Sequence, residues 1–79
     1  MGYRLTDAQQ TAFVLGGTVP HIDLVQKLQK RGYYVVLIDY LANSPAKPYA
    51  DEHLQISTLD YEAVLNAAIE RKPSLIISV

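Results

Sequence analysis

A chain of 79 residues with 49% hydrophobic and 19% charged residues is too apolar for a disordered segment, and its length suits one small domain. Seven basic and eight acidic residues give a net charge of -1 without a block of one sign, which disfavours recruitment to nucleic acid or to an anionic membrane. The chain has no cysteine, and no apolar run reaches the roughly 20 residues of a membrane-spanning helix. We therefore expect a soluble cytoplasmic domain with no nucleic-acid or membrane partner.

The first half of the chain predicts a strand, a helix and a second strand. Residues 12–16 form a short apolar run that stops at glycine, which is typical of a buried strand. Over residues 18–31 apolar side chains recur at helical spacing, with a proline in the first turn and a glycine just after the end. β-branched and aromatic residues at 33–39 predict the second strand.

The second half predicts a long loop, a strand, a helix and a final strand. Residues 40–52 carry two prolines and no periodicity, residues 53–57 alternate as a half-exposed strand does, and residues 74–79 are a buried-type strand. Thr58 or Asp60 is expected to cap the intervening helix, and Pro73 to end it. The helical face expected to pack comprises Tyr61, Val64, Leu65, Ala68 and Ile69.

Alternating strands and helices predict an α/β fold: a Rossmann-like, three-layer open parallel sheet of four strands in the order 3-2-1-4, with one helix on each face. Residues 1–11 are interpreted as an N-terminal extension and residues 12–79 as the domain. Because the chain stops on a strand that needs covering, we expect it to be the first piece of a longer protein. One helix per face is thin cover, so we also expect a homo-oligomer.

Ligands of such sheets bind outside the carboxyl ends of the strands, where the strand order reverses. Gly16 and Gly17 stand at that point after the first strand, and their lack of a Cβ permits a sharp turn and a close approach. The helix start behind them suits a carboxylate or phosphate, and His21 lies there in the first turn, where the helix dipole favours a neutral imidazole. Asp39 ends the second strand, so the candidate substrate-binding residues are Gly16, Gly17, His21 and Asp39.

Two nucleotide-binding signatures fail on inspection. The dinucleotide fingerprint G-x-G-x-x-G has no match, because His21 stands where the third small residue is needed, although Asp39 lies near the usual separation for an acidic ribose ligand. The Walker A pattern lacks its Lys-Ser or Lys-Thr pair. We assign no catalytic residue and no metal ligand, and interpret His53 as structural. Two alternatives stay open: a truncated dinucleotide-binding half of an oxidoreductase, and a noncatalytic α/β interaction domain.

Residues 13–79 resemble the N-terminal domain that precedes the catalytic module in ATP-grasp ligases such as biotin carboxylase. The matching features are the Gly16-Gly17 turn, the "GYYV" segment at 32–35, Asp39, the Ala50-Asp51 pair and the "KPSLIIS" strand. Their order and spacing, more than any one motif, carry the resemblance.

The resemblance implies a longer enzyme that activates a carboxylate with ATP as an acyl phosphate and passes it to an amine or another nucleophile. It implies that ATP, magnesium and most catalytic residues belong to downstream domains of the same polypeptide, with no cofactor held by this chain. By the same resemblance, Gly16 and Gly17 border the site of the small-molecule carboxylate or amine substrate, with Asp39 nearby. His21 has no counterpart in the family's motif, and its candidacy rests on its place at the helix start.

Overall fold

The computed structural model describes residues 10–78, so most of the predicted N-terminal extension and the last residue lie outside the described residues. No helix within 10–78 is long and apolar enough to cross a bilayer. The elements in chain order are β1 (Thr11–Leu15), α1 (Val19–Lys30), β2 (Tyr34–Ile38), a 3-10 turn (Lys47–Tyr49), β3 (Glu52–Leu54), α2 (Tyr61–Arg71) and β4 (Leu75–Ser78).

The four strands form one parallel sheet in the order β3-β2-β1-β4, which confirms the predicted topology. Phe13 on β1 stands between Val36 of β2 and Ile76 of β4 in the ladder. β1 and β2 therefore occupy the middle of the sheet, and both of their faces are covered. This double burial explains why their sequences are continuous apolar runs with no polar alternation.

The two helices cover opposite faces of the sheet, as predicted. On one face Val25 and Leu28 of α1 pack against side chains of β1 and β2 such as Val14. On the other face Ala67 of α2 packs against the alternate set, which includes Phe13. Because successive residues of a strand point to opposite faces, β1 and β2 supply both cores.

The segment between β2 and α2 differs in detail from the prediction. β3 covers only Glu52–Leu54, instead of the predicted residues 53–57. The Ile56 N–H bonds at 2.9 Å to the carbonyl of Leu54, two residues earlier, and this tight turn takes the chain out of the ladder. The long loop also contains the 3-10 turn, with Pro48 in its first turn, where a proline costs no backbone hydrogen bond.

The packed face of α2 was predicted correctly only in part. Val64 and Ala68 do pack against the sheet, together with Ala67, which the prediction omitted. The other three predicted residues are largely exposed: Tyr61 at 76%, Leu65 at 59% and Ile69 at 64%. Small alanines let the helix approach closely along a narrow stripe, so its larger apolar side chains point away. We name these three exposed side chains the outer apolar stripe.

The ends of α2 follow from local chemistry. Of the two predicted caps, Asp60 is the one used, because its Oδ1 accepts from the Ala63 N–H at 3.1 Å. At the other end Lys72 takes the left-handed conformation, with φ of 50°, immediately before Pro73. A residue that precedes proline is driven out of the helical region, which fixes this end.

A fork of hydrogen bonds joins the C-terminal end of α2 to β3. Arg71 donates to Oε2 of Glu52 from Nε at 3.1 Å and from Nη2 at 2.5 Å, and both side chains are about three-quarters buried, with 27% and 28% exposed. Tyr34 donates its hydroxyl to the same carboxylate at 3.4 Å. The hydrogen bonds from Arg71 hold the pKa of Glu52 below its ordinary value of 4.5, while partial burial opposes the shift.

A carboxyl group with a lowered pKa in the folded state stabilises the fold above its ordinary pKa and loses that contribution as the pH falls through the lowered one. We expect Glu52→Gln to lower the free energy of unfolding by about 1 kcal/mol at pH 7. The difference in the free energy of unfolding between this variant and the parent chain should shrink as the pH falls below 4.5. Urea titrations at a series of pH values measure it. Glu70→Gln is the control, because that carboxylate also meets Arg71 but its side chain is 75% exposed. If the free-energy difference for Glu52→Gln stayed constant at acid pH, it would contradict the stabilising role of the Glu52 carboxylate.

Candidate functional site

The four predicted site residues meet at the carboxyl edge of the two central strands. Gly16 directly follows β1 and Asp39 directly follows β2. The Gly16 N–H donates to the carbonyl of Ile38 at 2.8 Å, which holds the two strand ends side by side. His21 lies in the first turn of α1 behind them, so the sheet topology brings together residues that are distant along the chain.

Gly16 is required by its conformation and by its neighbour. Its φ of +111° lies in a region that residues with a side chain rarely adopt. A Cβ at this position would lie 3.1 Å from Cε1 and Nε2 of His21. A side chain at position 16 would therefore be both strained in its backbone and tightly packed against the edge of the imidazole, and glycine avoids both costs.

Gly17 is required by packing against the segment that follows β2. A Cβ here would lie 2.6 Å from Oγ of Ser44 and 2.7 Å from Oδ2 of Asp39, well inside contact distance. The carbonyl of Gly17 also accepts from the Ala46 N–H at 2.9 Å. The segment after β2 thus folds back onto the turn after β1, and glycine at 17 permits this approach.

One side of the His21 ring has a structural role. Its Nδ1 accepts from the Thr18 N–H at 3.1 Å and lies 2.7 Å from the Thr18 hydroxyl. His21 thereby takes the place of the Glu or Gln that reaches back in a capping box, three residues after the N-cap. Since a backbone N–H can only donate, Nδ1 carries no proton, and a neutral ring then carries its proton on Nε2.

The other side of that ring and a nearby serine have buried polar atoms that no group in residues 10–78 satisfies. Nε2 of His21 and Oγ of Ser44 lack a hydrogen-bond partner. Both residues are nevertheless buried, with exposed fractions of 8% and 2%. Buried polar atoms in native proteins are nearly always paired, with protein, water or ligand. Each of the two atoms can therefore bond to a water molecule or to a ligand.

Asp39 completes the cluster. It is 9% exposed, and its Oδ1 accepts from the Leu41 N–H at 3.1 Å, which leaves Oδ2 beside Gly17. Its backbone carbonyl lies 2.9 Å from Nε2 of His53, so His53 supports the backbone of Asp39.

Ser44 was missed by the sequence analysis because it lies in a loop without periodicity. Its place in the site depends on the segment after β2 folding back over Gly17, which no local pattern announces. Three exposed apolar side chains lie close to the cluster residues in sequence: Val19, Tyr40 and Leu41.

The donor set at the start of α1 suits a phosphate chain poorly. The Thr18 N–H already bonds to His21, and Pro20, the next residue but one, has no N–H. The Asp39 carboxylate beside Gly17 adds a negative charge where an anion would approach. No group of three His, Asp or Glu side chains in the described part of the chain is placed to hold a metal ion. The start of α1 therefore offers few free donors to the phosphates of a nucleoside triphosphate.

No family model matches the chain. Two curated proteins are similar to it at 32% identity over 77 residues: the formate-dependent phosphoribosylglycinamide formyltransferases of Ignicoccus hospitalis and Haemophilus ducreyi. Each match covers 98% of this chain but only 19% and 20% of the respective relative, in its N-terminal part. The chain thus spans about one fifth of the length of these curated relatives.

Solved structures agree with this placement. N5-carboxyaminoimidazole synthetase from Staphylococcus aureus, complexed with ADP, is similar at 29% identity with a TM-score of 0.76, over 87% of this chain and 18% of that one. Glycinamide-RNase-transformylase T from Mycobacterium tuberculosis shares the fold, with a TM-score of 0.81 at 24% identity over 89% of this chain and 20% of that one. The chain is therefore similar, in sequence and in fold, to the N-terminal part of ATP-grasp enzymes, which confirms the resemblance carried by its motifs.

Proposed function

We propose that the chain is the substrate-side domain of an ATP-dependent carboxylate-amine ligase, or of a related ligase that works through an acyl phosphate. The observation that carries the proposal is the buried polar cluster at the carboxyl edge of β1 and β2, where His21 and Ser44 have unpaired polar atoms. Sheets of this type bind their ligands at that edge. We propose Gly16, Gly17, His21 and Asp39, together with Ser44, as the wall of the substrate site.

ATP and magnesium belong, in this proposal, to downstream domains of the same polypeptide. The support is chemical, because the start of α1 offers a phosphate chain few free donors and places the Asp39 carboxylate nearby. The names of the relatives also support it: two are formate-dependent, formate is a carboxylate, and one solved relative was complexed with ADP. An ATP-dependent reaction of this kind would take place in the cytoplasm, which we propose as the location.

The dinucleotide-binding alternative is disfavoured by the same geometry. The fingerprint needs a third small residue where this chain has His21, and the imidazole edge lies 3.1 Å from the position of a Cβ on Gly16. The turn is therefore packed against a side chain larger than the small residue that the fingerprint requires. The interaction-domain alternative leaves the buried unpaired atoms unexplained.

Calorimetric and thermal-shift titrations test the proposal. We expect this chain alone to bind neither ATP with magnesium nor NAD, and a polypeptide that carries it with downstream domains to bind ATP with magnesium. In that longer polypeptide, release of ADP should require a carboxylate. NAD binding by the chain alone would support the dinucleotide alternative and contradict the proposal, as would failure of the longer polypeptide to bind ATP.

We also propose that the chain self-associates through the outer apolar stripe, because three large apolar side chains on one exposed helix face favour burial. Size-exclusion chromatography with light scattering should show an oligomer that the double substitution Leu65→Glu and Ile69→Lys converts to a monomer, with little change in melting temperature. Gln26→Glu, at an exposed polar position of α1, is the control and should leave the oligomer intact. A parent chain that stays monomeric over a wide concentration range would contradict this proposal.

A further inference from the structure

Asp39, a residue of the proposed substrate site, lies where the ladder between β2 and β3 comes to an end. Its N–H donates to the carbonyl of Leu54 at 3.2 Å. In a parallel pair, a residue that donates to one residue of the neighbouring strand accepts at its carbonyl from the residue two positions further on. The carbonyl of Asp39 would therefore accept from the N–H of Ile56 if the ladder continued.

Ile56 does not make this bond. Its N–H turns back to the carbonyl of Leu54 at 2.9 Å, in the tight turn that takes the chain out of the ladder. Asp39 is buried, and a buried backbone carbonyl without a donor is costly. Nε2 of His53 lies 2.9 Å from that carbonyl. Since a carbonyl can only accept, Nε2 carries the proton, and the imidazole replaces the missing ladder donor.

His53 reaches Asp39 from the face of the sheet that α1 covers. It stands opposite Leu37 in the ladder, and Leu37 belongs to the core on the α1 side. Because successive strand residues point to alternate faces, the side chain of Asp39, two residues after Leu37, points to this face too. The segment after β2 packs on the same face through Ala46. The imidazole therefore acts on the side of the sheet where the site is built.

The hydrogen bond to His53 completes a set of contacts that fixes Asp39. The Asp39 N–H and carbonyl are both engaged by β3, and its Oδ1 accepts from the Leu41 N–H at 3.1 Å. If the carbonyl lost its donor, the peptide that joins Asp39 to the next residue could rotate. The carboxylate and the start of the segment after β2 would then move together.

We propose that His53 is a positioning residue of the substrate site. Its Nε2–H holds the carbonyl of Asp39, and this bond keeps the Asp39 carboxylate and the segment after β2 in place. The inference rests on the proposed substrate-side role of this edge of the sheet. It assigns to His53 a part in the site that the sequence analysis did not give it.

NMR spectroscopy of the 79-residue chain, labelled with ¹⁵N and ¹³C, tests the proposal. His53→Leu keeps much of the bulk of the ring and removes the donor, whereas His53→Gln keeps an N–H donor of similar reach. In His53→Leu, the carboxyl ¹³C resonance of Asp39 and the amide resonance of Leu41 should shift. Amide exchange at Leu41 should accelerate about tenfold, as expected for a local opening that has lost one hydrogen bond. His53→Gln should restore most of the parent values.

Glu52→Gln is the matched control for a loss of stability without a loss of positioning. Glu52 is the adjacent residue of β3 and points to the opposite face, where it pairs with Arg71. This variant is expected to destabilise the fold, yet it should leave the resonances of Asp39 and Leu41 in place. In the parent chain, the imidazole ¹⁵N spectrum should show the neutral ring of His53 protonated on Nε2. A proton on Nδ1 instead would exclude the assigned hydrogen bond and overturn the proposal.

The variants give distinct outcomes. Shifts at Asp39 and Leu41 that appear in His53→Leu, recede in His53→Gln and are absent from Glu52→Gln would support the positioning role. Unchanged resonances in His53→Leu, or equal shifts in both His53 variants, would overturn it. If the resonances respond as expected but the longer polypeptide fails to bind ATP, the ligase proposal fails and the hold of His53 on Asp39 stands.

Discussion

Replacing Gly17 with alanine is expected to lower the free energy of unfolding by about 2 kcal/mol, the cost of overpacking a tight contact. The added methyl group would lie 2.6 Å from Oγ and 2.8 Å from Cβ of Ser44, so the backbone of that segment has to move. For a domain of this size the melting temperature should fall by roughly 10 °C. Thermal unfolding followed by circular dichroism measures it.

Gly32→Ala is the matched control for this experiment. Gly32 has a φ of +92°, but no atom of residues 10–78 other than its chain neighbours lies within 4 Å of where its Cβ would stand. Its substitution therefore costs only backbone strain, about 1 kcal/mol. If Gly17→Ala were no more destabilising than Gly32→Ala, the segment after β2 would not lie against the turn, and Ser44 would not belong to the proposed wall of the substrate site.

The topology of the sheet was predictable because two kinds of information agree along the chain. The apolar runs that became β1 and β2 mark strands buried on both faces, and the helical periodicity between them requires a crossover of fixed hand. These rules leave few arrangements, and the observed order β3-β2-β1-β4 is one of them. Element ends were less predictable, because they depend on single hydrogen bonds such as the one from Ile56 to Leu54.

The packed face of α2 shows where periodicity stops being informative. Apolar residues surround much of this helix, so the pattern fits more than one face. The face that packs against the sheet is the one with Ala67 and Ala68, since small side chains permit close approach. Which face packs depends on how closely the helix approaches the sheet, and the periodicity of the sequence does not contain that distance.

The site was predictable as a place and only partly as a set of residues. The rule that ligands bind at the carboxyl ends of the strands located Gly16, Gly17 and Asp39. His21 has two roles, since one ring nitrogen belongs to a capping box and the other has no partner. The sequence did not predict the capping role, because histidine is an unusual capping-box residue. Ser44 reaches the site only because the segment after β2 folds back over Gly17, and the residues around it in sequence contain no pattern that predicts this.

Asp51 has a structural role that its motif did not reveal. The sequence pairs it with Ala50 as part of the family resemblance, yet it lies at the amino edge of the sheet, away from the proposed site. Its N–H donates to the carbonyl of Val35 at 3.0 Å, and its Oδ2 accepts from the Val35 N–H at 2.8 Å and from Nε2 of Gln29 at 3.1 Å. Because β3 is too short to pair with the start of β2, this carboxylate supplies the missing acceptor.

Asp51→Ala is therefore expected to lower the free energy of unfolding by about 1.5–2 kcal/mol, near the lower end for a hydrogen bond to a charged acceptor, because Asp51 is partly solvated. Asp51→Asn should lower the free energy of unfolding by less than half of that amount, since the Asn amide oxygen still accepts from the Val35 N–H. Asp23→Ala is the control: Asp23 pairs with Lys27 at 3.0 Å, but both side chains are more than 70% exposed, so its loss should cost about 0.3 kcal/mol. Urea unfolding of the three variants measures the differences. Amide exchange at Val35 should accelerate in Asp51→Ala alone, because only that variant leaves the Val35 N–H without a protein acceptor. Unchanged exchange there would contradict the assigned hydrogen bond, since an N–H that bonds only to water exchanges faster.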